Sequence, residues 1–241
     1  MTEYRLLDRD KPIDDYIEIL DTTDSNPVVS VVGAGGKSTL IELIAEEYIK
    51  QNRSVIITTT THIRMPDDNQ GVCVITEFDG NDESDGSDGS NKSNNTMCEL
   101  SKAMTDGRPN RIYVGTAVHE NGIHKLKAPG EDIMAKMISE RTCPILIEAD
   151  GAAGKPCKAP ADYEPVIRPE TDCVIGVIST AAIGGRIGDV CHRPQMVSRL
   201  LKKGINDIIT SKDLEIILRD SNGLMKGVAQ GMKYVPILRV G

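Results

Sequence analysis

Seven consecutive residues, Gly33-Ala34-Gly35-Gly36-Lys37-Ser38-Thr39, carry the strongest chemical signal in the chain. Glycines let a backbone curl tightly enough to aim several N–H groups at one point, which is what a phosphate chain requires. A helix opening at Lys37 adds the partial positive charge of its N-terminus at the same place. In that arrangement Lys37 reaches the terminal phosphates of a nucleotide and the Ser38 hydroxyl coordinates Mg2+. Gly33, Ala34, Gly35, Gly36 and Thr39 complete the cradle. The common form of this loop has a glycine five residues before the Gly-Lys pair, where this chain has Val31, so the loop is a shortened variant. The competing interpretation is a glycine-rich turn with a surface lysine.

A second constellation is Ile145-Leu146-Ile147-Glu148-Ala149-Asp150-Gly151. An apolar strand delivering carboxylates at its C-terminal end matches the Mg2+-side acid of phosphoryl-transfer enzymes. Asp150 is the first choice to hold the metal, directly or through water, and Glu148 either shares that role or orients the attacking group. Alternation along a strand puts both on the same side. The alternative is a pair of acids capping the next helix. Thr59, in the run Thr58-Thr59-Thr60-Thr61, is placed to meet nucleotide or metal, although threonine is also a good strand residue. Lys155 and Lys158 lie in a proline-bounded loop beside that strand end and are expected to grip phosphate or an anionic substrate, Lys158 being the cofactor-binding candidate, with a solvated loop an even alternative. Arg193, in Cys191-His192-Arg193-Pro194, is a candidate for stabilising transferred phosphoryl charge, against the commoner surface ion pair. His62 stands alone, outside any metal-spaced cluster, and reads as structural.

These groups need a scaffold that brings them to one edge. Residues 27–32, 55–57, 111–114, 144–147, 173–178 and 235–238 are apolar runs of strand length. Helical spacing of Leu40, Leu43, Ile44, Tyr48 and Ile49 follows the glycine turn, and further helices are expected near residues 194–201 and 211–218. Strand, turn, helix and strand make one crossover unit with parallel strands. Asn121-Gly122 signals a hairpin flanked by His119 and His124. Continued alternation predicts a three-layer α/β fold with a mostly parallel sheet, in a single domain spanning residues 1–241. Residues 4–20 read as a short leading helix. Residues 79–96, rich in Gly, Ser, Asn and acids, read as a disordered insertion carrying about half the net negative charge.

Composition narrows the partners. There are 28 Lys and Arg against 36 Asp and Glu, a net charge of −8, which argues against nucleic acid or an anionic membrane as the main partner. With no Trp and 3% aromatics, base-stacking platforms are not expected. Six dispersed cysteines form no C-x-x-C pair. No apolar run approaches the roughly 20 residues of a membrane span, and the charged N-terminus lacks a signal-peptide core. A cytoplasmic protein with reduced thiols is the expectation.

Taken together, GAGGKST, VIITTTTHIRMP, IEADGAAGKPCKAP with EPVI after it, and HRP occur in an order that resembles the YqeC-type family, described as selenium-dependent hydroxylase accessory or selenium cofactor biosynthesis proteins. The resemblance runs from about Val28 onward, apart from residues 79–96. It implies a P-loop NTPase-like fold and a nucleotide-binding role in the maturation of selenium-dependent molybdenum hydroxylases. Family members resembling it commonly continue past the final strand with an Asn- and Asp-containing segment; if that segment contacts the nucleotide base, weaker or less base-selective binding is expected of this chain. The short loop is also similar to the G-x-x-G-K-[ST] turn of Mur-type peptide ligases, whose multidomain architecture does not fit 241 residues. The expected ligands are Mg2+ and ATP, or GTP, with hydrolysis or phosphoryl transfer assisted by Lys37, Glu148, Asp150 and Arg193. The alternatives are a nucleotide-switched carrier or chaperone, and a small-molecule kinase or ATP-dependent ligase.

Overall fold

The computed structural model describes residues 3–8, 12–20, 26–66, 72–77, 89–105, 108–120 and 122–241. Strand β1 (Glu3–Leu6) is followed by a 3-10 turn at Glu18–Leu20. Then β2 (Val28–Gly33), α1 (Lys37–Lys50) and β3 (Val55–Thr59) form the expected crossover. Next come β4 (His62–Arg64), β5 (Val72–Glu77), α2 (Gly89–Thr105) and the hairpin β6 (Arg111–Glu120) and β7 (Ile123–Lys127). Helix α3 (Glu131–Glu140) leads into β8 (Ile145–Glu148). The remainder comprises β9 (Cys157–Lys158), β10 (Cys173–Ser179), α4 (Ile187–Val190), β11 (Cys191–His192), α5 (Pro194–Leu201), α6 (Ser211–Arg219) and β12 (Lys233–Val240).

Among the described residues, ten strands join one sheet in the order β1-β12-β10-β2-β8-β3-β6-β7-β4, with β5 paired to β6. The strands from β12 through β6 are mutually parallel, while β1 joins β12, β7 joins β6 and β4 joins β7 by antiparallel pairing. Strands covered on both faces need apolar side chains on both, which explains the unbroken runs in β2, β8 and β10. On β2, Val29 and Val31 pack with Leu40, Ile44 and Tyr48 of α1. Val32 faces the other way with residues of α5 and α6, and Val28 with residues of α2 and α3. Helices therefore cover both faces of a large, mostly parallel sheet. No helix among the described residues is long and apolar enough to cross a membrane.

Two local expectations are corrected. The leading helix is instead β1, whose four residues pair with β12 from Glu3↔Val240 to Leu6↔Ile237. Its alternation is a strand pattern that only the distant partner completes. In the expected disordered insertion, residues 79–88 lie outside the described residues, but Gly89 onward is helix α2. Met97 and Leu100 are buried with Ile133 and Met137 of α3, so tertiary contact overrides a polar, glycine-rich start. Leu100→Ala should therefore cost about 2–4 kcal/mol in urea unfolding, as for other buried leucines. An unchanged midpoint would mean that α2 does not dock.

Candidate functional site

Strand β2 ends on Gly33, between the C-terminal ends of β8 and β10. Ligands in open α/β sheets bind outside these carboxyl ends. Gly33, Gly35 and Gly36 have φ of +106°, +73° and +144°, a region that favours glycine. Space makes the same demand: a Cβ on Gly33 would lie 2.1 Å from the Val177 carbonyl oxygen, and one on Gly35 would lie 2.8 Å from that of Pro156. The Gly33 carbonyl accepts from Lys37 Nζ at 2.8 Å, that of Gly35 from Arg239 at 3.3 Å, and that of Gly36 from Tyr4 Oη at 2.7 Å. Donors thus engage these three oxygens, which would otherwise repel an anion. The first intrahelical bond of α1 is Leu40 N to Gly36 O, so the N–H groups of Lys37, Ser38 and Thr39 have no acceptor within the helix.

Around this turn runs an alternating chain of charged groups. Asp150, fully buried, accepts from Gly33 N at 3.0–3.1 Å and pairs with Lys37 at 3.1 Å and Lys158 at 2.8 Å. Lys37 also lies 3.7 Å from Glu148, which accepts from Ser38 Oγ at 2.8 Å. Lys158 continues to Glu164 at 2.8 Å, and Glu164 to Arg193 at 2.6 Å. The Arg193 guanidinium sits 5.4 Å from the Tyr163 ring centre and donates to the Tyr163 hydroxyl at 2.9 Å. Short strands β9 and β11 pair in register, Lys158 beside His192, and hold the far half of the chain.

Burial raises the Glu148 pKa, against the opposing pull of Lys37 and the Ser38 hydroxyl. Glu164 shifts the other way: burial disfavours its charge, yet Lys158 and Arg193 outweigh that and lower its pKa. His192 is held below its ordinary pKa by burial, and then by Arg193 and Lys158. Among the described residues no three His, Cys, Asp or Glu side chains gather as a metal cluster.

The structure brings Gly33, Lys37, Ser38, Glu148 and Asp150 together as the sequence suggests, but gives several residues other work. Asp150 has its oxygens engaged by two ammonium groups and an amide, so of the two acids Glu148, beside Ser38, is the one with capacity left for a ligand. Lys158 is a correction. Its three N–H donors go to Asp150, Glu164 and the Gly151 carbonyl, with no exposed surface, which leaves none for phosphate. Thr59 is a second correction: it is buried, donating to Glu148 O and accepting from Thr61 N. Arg193 is held by Glu164 and Tyr163 at the end of the chain, four contacts away from Lys37. Asn121 lies outside the described residues, but its hairpin forms, with His119 paired to His124. Sequence reasoning assigns no role to Glu164; its one signal is an acid placed six residues after Lys158 in the same loop.

Glu164→Gln would leave Lys158 and Arg193 facing each other without their shared counter-charge. Breaking a buried pair in this way should cost about 3 kcal/mol in urea unfolding near pH 7. Because the folded pKa of Glu164 lies below its ordinary 4.5, its contribution is present above that value and is lost as pH falls through the folded pKa. The gap between wild type and variant should accordingly close in acid. A gap independent of pH would assign the loss to packing instead.

Comparison with known proteins agrees with this arrangement of motifs. The family model described as YqeC protein matches residues 29–195. The uncharacterized protein YqeC of Escherichia coli (strain K12) is 30% identical over 210 residues, covering 86% of this chain and 73% of that protein. No solved structure matches the chain. The matched span holds the glycine turn and every charged group from Lys37 to Arg193, and the chain belongs to the YqeC family.

Proposed function

We propose that this protein binds a Mg2+–nucleoside triphosphate, ATP in the first instance and GTP as the competing choice, in a P-loop NTPase-like fold. One observation carries the reading: a glycine turn between β2 and α1 puts Lys37 at a helix N-terminus within 3.7 Å of both Glu148 and Asp150. The phosphates would meet the first-turn N–H groups of α1, where amide donors and helix polarity favour an anion. Ser38 and Glu148 would hold Mg2+, whose chemistry is to offset charge on the phosphate oxygens. Lys37 would release or share Asp150 to contact the terminal phosphate. Asp150 keeps Lys37 and Lys158 in place, and Arg193 remains a second source of positive charge.

The reaction proposed is hydrolysis or phosphoryl transfer, with transfer to a small acceptor as the kinase or ligase variant. The biological setting we propose, from the family resemblance of the motifs, is maturation of selenium-dependent molybdenum hydroxylases. A cytoplasmic location belongs to this reading, since all six cysteines are free thiols, as in a reducing compartment. The chain of ion pairs also favours the nucleotide-switched carrier. It connects Lys37 to Tyr163, which is 72% exposed, so a change at the phosphates has a contiguous route to the surface.

Calorimetry with Mg2+ and ATP or GTP, with hydrolysis followed in the same samples, tests the assignment. Lys37→Ala should weaken nucleotide binding by about 100-fold, the scale of losing a charge-assisted contact of roughly 3 kcal/mol. Equal binding and turnover in wild type and variant would refute the phosphate-loop role. A basal rate near zero with tight binding would select the carrier.

A further inference from the structure

Two cysteines meet across the smaller sheet. Strand β9 begins on Cys157 and β11 on Cys191, and their parallel register sets the two directly opposite one another. Residues paired in this way share a face of the ladder, and both side chains pack into one apolar cluster with Ala159, Ile187 and Val197. Neighbouring strands lie about 4.8 Å apart, inside the Cα separation of about 4.4–6.8 Å that a disulfide spans. Both thiols are free, and the Cys157 S–H donates to the Cys191 sulfur. That hydrogen bond, helped by the Lys155 ammonium, outweighs burial and holds the Cys191 pKa below its ordinary value. The same bond and then burial push the Cys157 thiol well up.

We propose that Cys157 and Cys191 are a redox-active dithiol, oxidised to an intramolecular disulfide by a hydroperoxide. The Cys191 thiolate attacks one oxygen of hydrogen peroxide, the O–O bond breaks, and hydroxide leaves to take up a proton as water. Cys191 is then a sulfenic acid. The Cys157 sulfur attacks it, the S–O bond breaks, and the Cys157 proton goes to the departing hydroxide. Two thiols and one peroxide thus give one disulfide and two waters. Cys157 has no exposed surface and Cys191 is 2% exposed, so the oxidant must be water-sized. The covering ladder is two residues long on each strand, and short ladders open locally at low cost. Lys158 follows Cys157, and Arg193 lies two residues after Cys191, so the bond ties together the segments of the two cations that share Glu164.

The test treats the native full-length protein with excess hydrogen peroxide, alkylates it under denaturing conditions and maps the peptides by mass spectrometry. A Cys157–Cys191 linked pair that dithiothreitol reverses is the expected product. Cys157→Ser should stop at a Cys191 sulfenic acid, captured by dimedone, and Cys191→Ser should leave Cys157 reduced. Linkage should raise the urea midpoint of wild type, because it closes the 157–191 loop in the unfolded chain and fits the folded register. Neither variant should show that rise, which separates the bond from oxidation at exposed Cys98 or at methionine. The inference is overturned if both thiols stay fully alkylatable, if either is oxidised past sulfenic acid without linkage, or if the linked form unfolds at no higher midpoint. A sulfenic acid at Cys157 in Cys191→Ser would overturn the assigned order of attack. The dithiol chemistry is independent of nucleotide binding, so each stands or fails alone.

Discussion

A carboxylate with no exposed surface, that of Asp150, is the constraint on which the rest of the site depends. Burying it alone would cost several kcal/mol, so it requires counter-charge and donors within contact distance. Gly33 N, Lys37 and Lys158 supply them, and each then has further obligations. Lys158 brings a second ammonium into the interior and needs Glu164; Glu164 in turn takes Arg193. On the other side Lys37 meets Glu148, which takes the Ser38 hydroxyl. Three carboxylates thus face three cations. Such a cluster is weak evidence for stability but holds each member in one place, because moving any charge strands its neighbours.

That balance bears on what the site accepts. A triphosphate arriving without a cation would compete with Asp150 and Glu148 for Lys37 and leave the cluster with excess negative charge. A divalent cation arriving alone would add positive charge beside Lys37. Together they disturb it least. The raised pKa of Glu148 fits the same picture, since burial disfavours a charge that a cation at Ser38 would favour.

Much of this was legible from sequence, for a physical reason. Strand runs, the glycine turn and the carboxylates at the end of β8 are local patterns, and a parallel crossover places them at one sheet edge whatever the rest of the chain does. Features that depended on distant partners were not legible. Residues 3–6 become a strand because β12 lies more than 200 positions away, and the same pairing brings Tyr4 and Arg239 to the Gly36 and Gly35 carbonyls. Helix α2 begins in a composition that signals disorder and is held by Met97 and Leu100 against α3. Lys158 reads as a phosphate-gripping cation until Glu164 is folded onto it.

The threonine run makes the same point about function. Thr58 donates to Val114 O, Thr59 to Glu148 O and Thr60 to Val166 O, each between 2.8 and 3.0 Å. These bonds tie the end of β3 to β6, to the end of β8 and to the segment following Glu164. Hydroxyls placed beside the glycine turn suggest ligand contacts, but these three are spent on backbone carbonyls. Their effect on chemistry is indirect and still large: the strand end that carries Glu148 and leads to Asp150 is fixed from both sides. Groups free to meet a ligand are therefore fewer than the polar residues nearby, chiefly the first-turn amides of α1, Ser38 and Glu148. A rim made rigid by satisfied polar groups lets so small a set act with defined geometry.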